Sequence, residues 1–302
     1  MRLWDMATGQ EKRTLDGHQN YVLDMAFSPD GRLLVTADEK RSFVWDAATG
    51  KRVAALPDGL PIGATAVAFS RDGRVLATAL PEGAIRLWEV ATWTARNEYK
   101  GHRDRATALT FAPGGQLLSG SLDTTVLAWD IRPPRVAVSV TLESAWNDLA
   151  KREAGEAFKA EGSFLAAPAE AVKIFAEKVK PVEALDPKRI QRLLDDLDSD
   201  QFAVRQRASA ELQKMGELAG PALRKALEGE PSAETRRRIE ELLKDIDGIA
   251  PRGELLRSLR AVEVLELLGT AEAKAVLQAL AKGAPGASVT RAAKEALDRM
   301  RN

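Results

Sequence analysis

GHRDRATALTFAPGGQLLSGSLDTTVLAWD, residues 101–130, decides the fold. It holds three short apolar runs, ATALTF, QLLSG and TVLAW, each alternating and β-prone, with turn signals between them. Such runs read as half-buried strands. Pro113-Gly114-Gly115 divides the first run from the second, and Asp123-Thr124 divides the second from the third, as tight hairpins require.

The unit recurs in register. Trp4-Asp5, Trp45-Asp46, Trp88-Glu89 and Trp129-Asp130 are 41, 43 and 41 residues apart. Phe27-Ser28-Pro29-Asp30-Gly31, Phe69-Ser70-Arg71-Asp72-Gly73 and Phe111-Ala112-Pro113-Gly114-Gly115 repeat the first turn, nine residues after His18, Leu60 and His102 respectively. A period of about 40 to 45 residues with Gly-His and Trp-Asp marks resembles the WD40 repeat, one four-stranded blade of a β-propeller. The resemblance implies a binding role. It also implies that a buried His, Ser or Thr, Asp and Trp brace each blade through hydrogen bonds.

Carried onto this chain, the bracing set of the third repeat is His102, Ser119, Asp123 and Trp129, with Ser121 as the alternative hydroxyl. The first repeat offers His18, Glu39 and Trp45, and the second has Leu60 at the His position with Glu82 and Trp88. Buried polar groups without partners cost about 1 to 3 kcal/mol each, so partial sets brace less well. In the first repeat, strands are expected at Val22 to Phe27, Leu33 to Ala37, Ser42 to Trp45 and Arg52 to Leu56, with Val22, Met25 and Phe27 toward the interior.

Arg2-Leu3-Trp4-Asp5 matches the third strand of a blade, so the pattern starts part-way through one and amounts to roughly three and a half blades. The remaining blades are expected from upstream sequence or from another chain. An open arc otherwise exposes strand edges and apolar faces.

By Ser144 the period has changed from two to 3.6, placing a domain boundary near 140 to 145 and giving a partial propeller at 1–140 and an α-helical domain at 141–302. Helices are expected at Ala154 to Ala166, at Ala169 to Val179 after Pro168, and from Asp186-Pro187 to about Leu197, where an N-cap carboxylate precedes Pro. Ile239, Leu242, Leu243 and Ile246 mark one helical face, and Gly269-Thr270 reads as a stop followed by a cap. The stretch from Asp200 to Leu212, with its Val204-Arg205 pair, resembles the HEAT repeat. A partial propeller followed by such a tail also resembles large bacterial WD-repeat proteins.

Composition narrows the chemistry. Lys plus Arg and Asp plus Glu number 44 each in 302 residues, so bulk charge gives no sign of nucleic-acid binding. No apolar run approaches the length of a membrane span, no signal-peptide apolar region opens the chain, and with no cysteine a cytoplasmic location is expected. The two histidines sit at the repeat's own His positions, leaving none for a catalytic or metal constellation, and no phosphate-binding glycine motif occurs. No catalytic residue, cofactor or metal is expected. Asp196, Asp198 and Asp200 have calcium-loop spacing, but Gln201 and Arg207 stand where Gly and Glu are required, so capping is the simpler role. Arg236-Arg237-Arg238, flanked by Glu234, Glu240 and Glu241, reads as a solvated face of i, i+4 pairs. The expected function is a non-enzymatic scaffold or protein-interaction module whose partners are proteins, with Arg103, Asp104 and Arg105 as a loop contact and Trp93, where a glycine is usual, as either an exposed aromatic anchor or a side chain packed on a neighbouring blade or on the helical domain. The alternative is a regulatory or substrate-recruiting tail of a larger enzyme.

Overall fold

A computed structural model describes residues 1–53, 63–135, 141–248 and 251–301. The chain divides into two compact units, one of Met1–Pro134 with Arg152–Phe158 and one of Arg135–Lys151 with Lys159–Asn302. The first unit is built of antiparallel sheets. β1 (Arg2–Trp4) pairs with β2 (Glu11–Thr14); β3 (Val22–Phe27), β4 (Leu33–Asp38) and β5 (Ser42–Asp46) form the next sheet. β6 (Ala66–Phe69), β7 (Val75–Ala79), β8 (Ile85–Glu89) and β9 (Thr94–Tyr99) form a four-stranded sheet, and β10 (Ala106–Phe111), β11 (Leu117–Ser121) and β12 (Val126–Trp129) the last. Arg52 bridges to Trp45 at the fourth-strand position of the first full repeat; Ala54 to Leu56 lie outside the described residues, as does Leu60.

The repeated turn explains why these hairpins form. Ser28 Oγ donates to Asp30 Oδ1 (2.6 Å) and accepts from Leu33 N–H (2.9 Å), while Gly31 sits at φ +70° and donates to the Ser28 carbonyl. Ser70, Asp72 and Gly73 reproduce these bonds, with Val75 N–H on Ser70 Oγ at 2.9 Å. A positive φ of this kind favours glycine at the turn.

The sheets pack face to face. Val35, Ala37 and Val44 meet Ala64, Val67, Leu76 and Trp88 between the first and second full sheets, and Ala66, Val75, Ala77, Ala79, Ile85 and Leu87 meet Ala106 and Leu117 between the second and third. Polar bonds stitch the same seams, with Val67 N–H on Asp24 Oδ2 (2.7 Å) and the Thr65 hydroxyl on the Ala106 carbonyl. Met25 and Phe27 lie on the opposite face of β3 and are each 52% exposed, not interior as alternation alone suggests. Alternation assigns a residue to a face, and only the neighbouring sheet decides whether that face is covered.

The second unit is helical: α1 (Leu142–Asp148), α2 (Ala154–Ala166), α3 (Pro168–Lys178), α4 (Pro187–Asp196), α5 (Phe202–Met215), α6 (Gly220–Glu228), α7 (Ala233–Gly248), α8 (Gly253–Leu268), α9 (Ala271–Leu280) and α10 (Ser288–Arg299). The first residues of α2 are counted with the sheet unit. Asp186 caps α4 through Lys188 N–H, and Gly269 at φ +67° ends α8 before Thr270 caps α9 through Ala273 N–H. Two cores result. Trp146, Phe164, Phe175, Val262, Leu265, Leu277, Val289 and Leu297 form one from α1–α3 with α8–α10, and Leu193, Leu212, Leu223, Ile239 and Leu242 form another from α4–α7. This order departs from sequential stacking, in which each repeat touches only its neighbours. Among the described residues no helix is long and apolar enough to cross a membrane.

Arg260 ties the first of these cores together. It is 2% exposed, and its guanidinium donates to the Leu149 carbonyl (2.8 Å) and the Lys151 carbonyl (2.6 Å) just past the end of α1, where a cation also meets the negative end of the helix dipole. Arg260→Met should therefore lower stability by about 3 kcal/mol, since it strands buried carbonyls, and Arg260→Lys should rescue only part, for lack of a planar fork. Chemical denaturation of the three proteins checks this; equal stability of wild type and Arg260→Met would refute it.

Candidate functional site

Each of the three full sheets has a polar relay across its second and third strands. In the third full sheet, Trp129 Nε1–H donates to Ser119 Oγ (2.8 Å), Ser119 lies 2.6 Å from His102 Nε2, and His102 Nδ1 faces Asp123 Oδ2 (3.2 Å) and Thr125 Oγ1 (3.0 Å). The network dictates the proton positions: an indole N–H can only donate, so Ser119 accepts it and donates onward to Nε2, leaving Nδ1–H to point at Asp123 and Thr125. His102, Ser119, Asp123 and Trp129 are thus brought together. Ser121 turns instead to the carbonyls of Asp104 and Arg105.

The first full sheet repeats the relay with a different acid. Trp45 Nε1–H donates to Thr36 Oγ1 (2.8 Å), Thr36 sits 2.6 Å from His18 Nε2, and His18 Nδ1 sits 2.6 Å from Asp38 Oδ2. Asp38, not Glu39, is the acid; Glu39 is exposed one residue further along the turn. Asp38 ends β4 and its carboxylate also accepts the N–H groups of Lys40 and Arg41, which a shorter side chain reaches and a glutamate at the turn tip does not. In the second sheet Trp88 Nε1–H donates to Thr78 Oγ1 (3.0 Å), and Thr78 passes its proton to the Arg86 carbonyl (3.4 Å). Glu82 is exposed on its turn and takes no part.

The acids are held ionised. For Asp123 the Thr125 hydroxyl, then the Arg103 N–H, outweigh burial and hold the carboxyl below the usual range. For Asp38 burial pushes the carboxyl up, but bonds from His18 and from Lys40 and Arg41 N–H more than offset it, and the net direction is down. A depressed folded-state value stabilises the fold above the unfolded value near 3.8, and this contribution fades as pH falls from there toward the folded value.

Trp93 does not serve as a surface anchor. It occupies the turn position that Gly50 holds one repeat earlier, at φ +54°, yet it is 6% exposed and packs with Trp88, Val67 and Leu76. A non-glycine residue there costs on the order of 1 to 3 kcal/mol, less than the 3 to 5 kcal/mol lost on emptying a buried Trp site, so burial wins. Arg103, Asp104 and Arg105 are exposed, and their backbone is pinned by Arg103 N–H on Asp123 Oδ2 (2.7 Å) and by Ser121 Oγ on the two carbonyls.

Among the helices, Asp198 accepts from Ser232 Oγ (2.6 Å) and Thr235 Oγ1 (2.7 Å), binding the start of α7. Arg237 pairs with Glu241 and Arg238 with Glu234, both at i, i+4. Sequence reasoning passed over Phe202, which is 64% exposed at the start of α5 with Arg205 and Arg238 about its ring at 5.8 and 5.9 Å. Its position directly after Asp200-Gln201, at the first turn of a helix, was the available signal.

With this geometry in view, comparison with known proteins is direct. Residues 9–46 and 93–130 match the model of the WD domain, G-beta repeat. The chain carries WD40 repeats, arranged as a partial propeller followed by an all-helical domain. It is 29% identical over 144 residues to Protein groucho of Drosophila melanogaster, covering 45% of this chain and 20% of that protein, so it spans a fifth of the relative's length. Among solved structures it is similar to U3-55K, at 28% identity over 39% of this chain and 38% of that one with a TM-score of 0.36. The computationally designed Ika4 protein is 30% identical over 43% of this chain and 78% of its own, with a TM-score of 0.38.

Two outcomes follow from the relays. His102→Ala should cost about 2 kcal/mol by stranding Ser119 and Asp123, whereas Glu82→Ala should stay within about 0.5 kcal/mol of wild type; equal melting shifts for both would refute the assignment. Because Asp38 and Asp123 are held below the ordinary carboxylate value, stability should fall as pH drops below about 4, and Asp123→Asn should flatten that acid limb in a urea titration across pH. An unchanged acid limb in Asp123→Asn would remove Asp123 from the relay.

Proposed function

We propose that the chain is a non-enzymatic protein-interaction module that engages a protein partner through the loop at Arg103, Asp104 and Arg105. The supporting observation is preorganisation: three charged side chains stand in solvent on a backbone clamped by the relay acid Asp123 and by Ser121. A contact whose backbone is already fixed loses little conformational entropy on binding. Two arginines around one aspartate suit a surface bearing carboxylates, with planar guanidinium forks giving orientation. The exposed Phe202, with Arg205 and Arg238 about it, gives the helical unit a second surface of aromatic and cationic character. Catalysis by the relay finds no support, because Ser119 is buried and its hydroxyl already accepts from Trp129 and donates to His102.

The test is a charge reversal. Arg103→Glu with Arg105→Glu should leave the melting temperature within a degree or two and reduce retention of co-purifying proteins from extracts of the native source at least ten-fold, more so at low salt. Retention of the same proteins by the folded double variant would overturn the loop assignment.

A further inference from the structure

Within the helical unit one bundle is inserted into another. α3 packs on α8 and α9, so the chain leaves the first bundle after α3, builds α4–α7, and returns at α8. Each bundle has its own core, and among the described residues the two cores share no apolar side chain. Apolar burial is the main adhesive between packed elements, so a joint formed without a shared core rests on weaker contacts.

The loop between α9 and α10 forms that joint. On one side Ala284 N–H donates to the Val182 carbonyl (2.8 Å), on the segment that leads out of α3. Gly283 lies so near this segment that a Cβ there would sit 3.0 Å from Val182 N. On the other side the loop meets the inserted bundle. Gly286 packs on Pro221 at the start of α6, where a Cβ would come within 2.9 Å of the proline ring. Glu217, in the turn ahead of α6, accepts both the Ser288 N–H (3.0 Å) and the Ser288 hydroxyl through one carboxylate oxygen. The N-cap of α10 is Ala287, which has no side chain to offer, so Glu217 supplies from the inserted bundle the acceptor that the first turn of α10 lacks locally.

We propose that α4–α7 is a hinged module, with the Val182 segment as its pivot and the Glu217–Ser288 contact as a latch that opens and closes. In the closed state the carboxylate holds the first turn of α10 and Gly286 seats Pro221. In the open state the carboxylate returns to water, both cores stay intact, and the module turns as a rigid body about the segment that follows α3. Two intact cores with a polar contact between them give two discrete arrangements of similar energy, which one extended core would not. Phe202 stands on α5 and travels with the module, so the latch sets where that aromatic surface lies relative to α8–α10. Only this last consequence rests on the binding role read for Phe202; the hinge itself uses none of the residues of the loop reading.

The chain has no cysteine, so a pair of spin labels goes on cleanly at Lys225→Cys on α6 and Gln278→Cys on α9, both exposed. Pulsed electron resonance on the full chain should give one dominant distance. Glu217→Ala should shift the open-to-closed ratio by about ten-fold through loss of two hydrogen bonds to a charged group, and so bring up a second distance. Gly286→Val, which wedges Pro221 away, should do the same, and Ser288→Ala, which keeps the N–H bond, should shift the ratio less. Hydrogen exchange should show α5 and α8 as well protected in each variant as in wild type, which separates hinge opening from unfolding. An unchanged single distance in both Glu217→Ala and Gly286→Val would overturn the proposal, as would two equally weighted distances in wild type. Loss of protection in α5 or α8 of Glu217→Ala would also overturn it, by making the contact part of a shared core.

Discussion

The structure of the sheet unit depends on one bond made three times: an indole N–H on the third strand donating to a hydroxyl on the second. Trp45 meets Thr36, Trp88 meets Thr78 and Trp129 meets Ser119, at 2.8, 3.0 and 2.8 Å. The bond survives where the rest of the relay does not, since Thr78 finds the Arg86 carbonyl in place of an imidazole. An indole can be buried only if its N–H is satisfied, and a hydroxyl that accepts it still needs an outlet for its own proton. Histidine is one outlet and a main-chain carbonyl is another. What histidine adds is reach, because its second nitrogen carries the chain of bonds on to the carboxylate that organises the following loop.

That extension links bracing to surface. Asp123 accepts from His102 on the inside and from Arg103 N–H on the outside, so the loop bearing Arg103 to Arg105 is fixed by the same group that neutralises the relay. Asp38 does the same for Lys40 and Arg41. In both sheets burial of a carboxylate is tolerated because several donors converge on it. The result is an exposed loop with an ordered backbone, a property that neither a hydrophobic core nor an isolated turn would supply.

Much of this was legible in the sequence, for physical reasons that also explain what was not. The Phe-Ser-Pro-Asp-Gly turns, the Trp spacing, Asp186-Pro187 and Gly269-Thr270 are local signals whose partners lie within a few residues, and each element they announce is present. The two readings of Trp93 could not be separated, and Met25 is not interior, because burial depends on a neighbouring sheet: the same alternation buries Val67 and exposes Met25. The repeat position points to Glu39, but position in a turn does not fix which of two adjacent acids faces inward, and it is Asp38 that meets His18. The helices were readable one by one from their caps and apolar stripes, but the sharing of one core by α1–α3 with α8–α10 was not, since nothing in a 3.6-residue period reports a contact between Leu149 and Arg260.

The relay in the third sheet contains a serine, a histidine and an aspartate in hydrogen-bonded order, the same groups that a hydrolase uses, and the comparison shows how chemistry is decided by surroundings. A nucleophilic serine must present a free lone pair to a substrate carbonyl while its proton goes to histidine. Ser119 gives its proton to His102, but one lone pair is taken by Trp129 and the whole group is 1% exposed. The aspartate also differs in task. A catalytic one orients and stabilises an imidazolium that forms during turnover, whereas Asp123 is saturated by Thr125 and Arg103 before histidine is counted. With its donors and acceptors already matched, the set has little to gain from a change of proton position, and so it acts as a rigid strut whose output is the position of the loop above it.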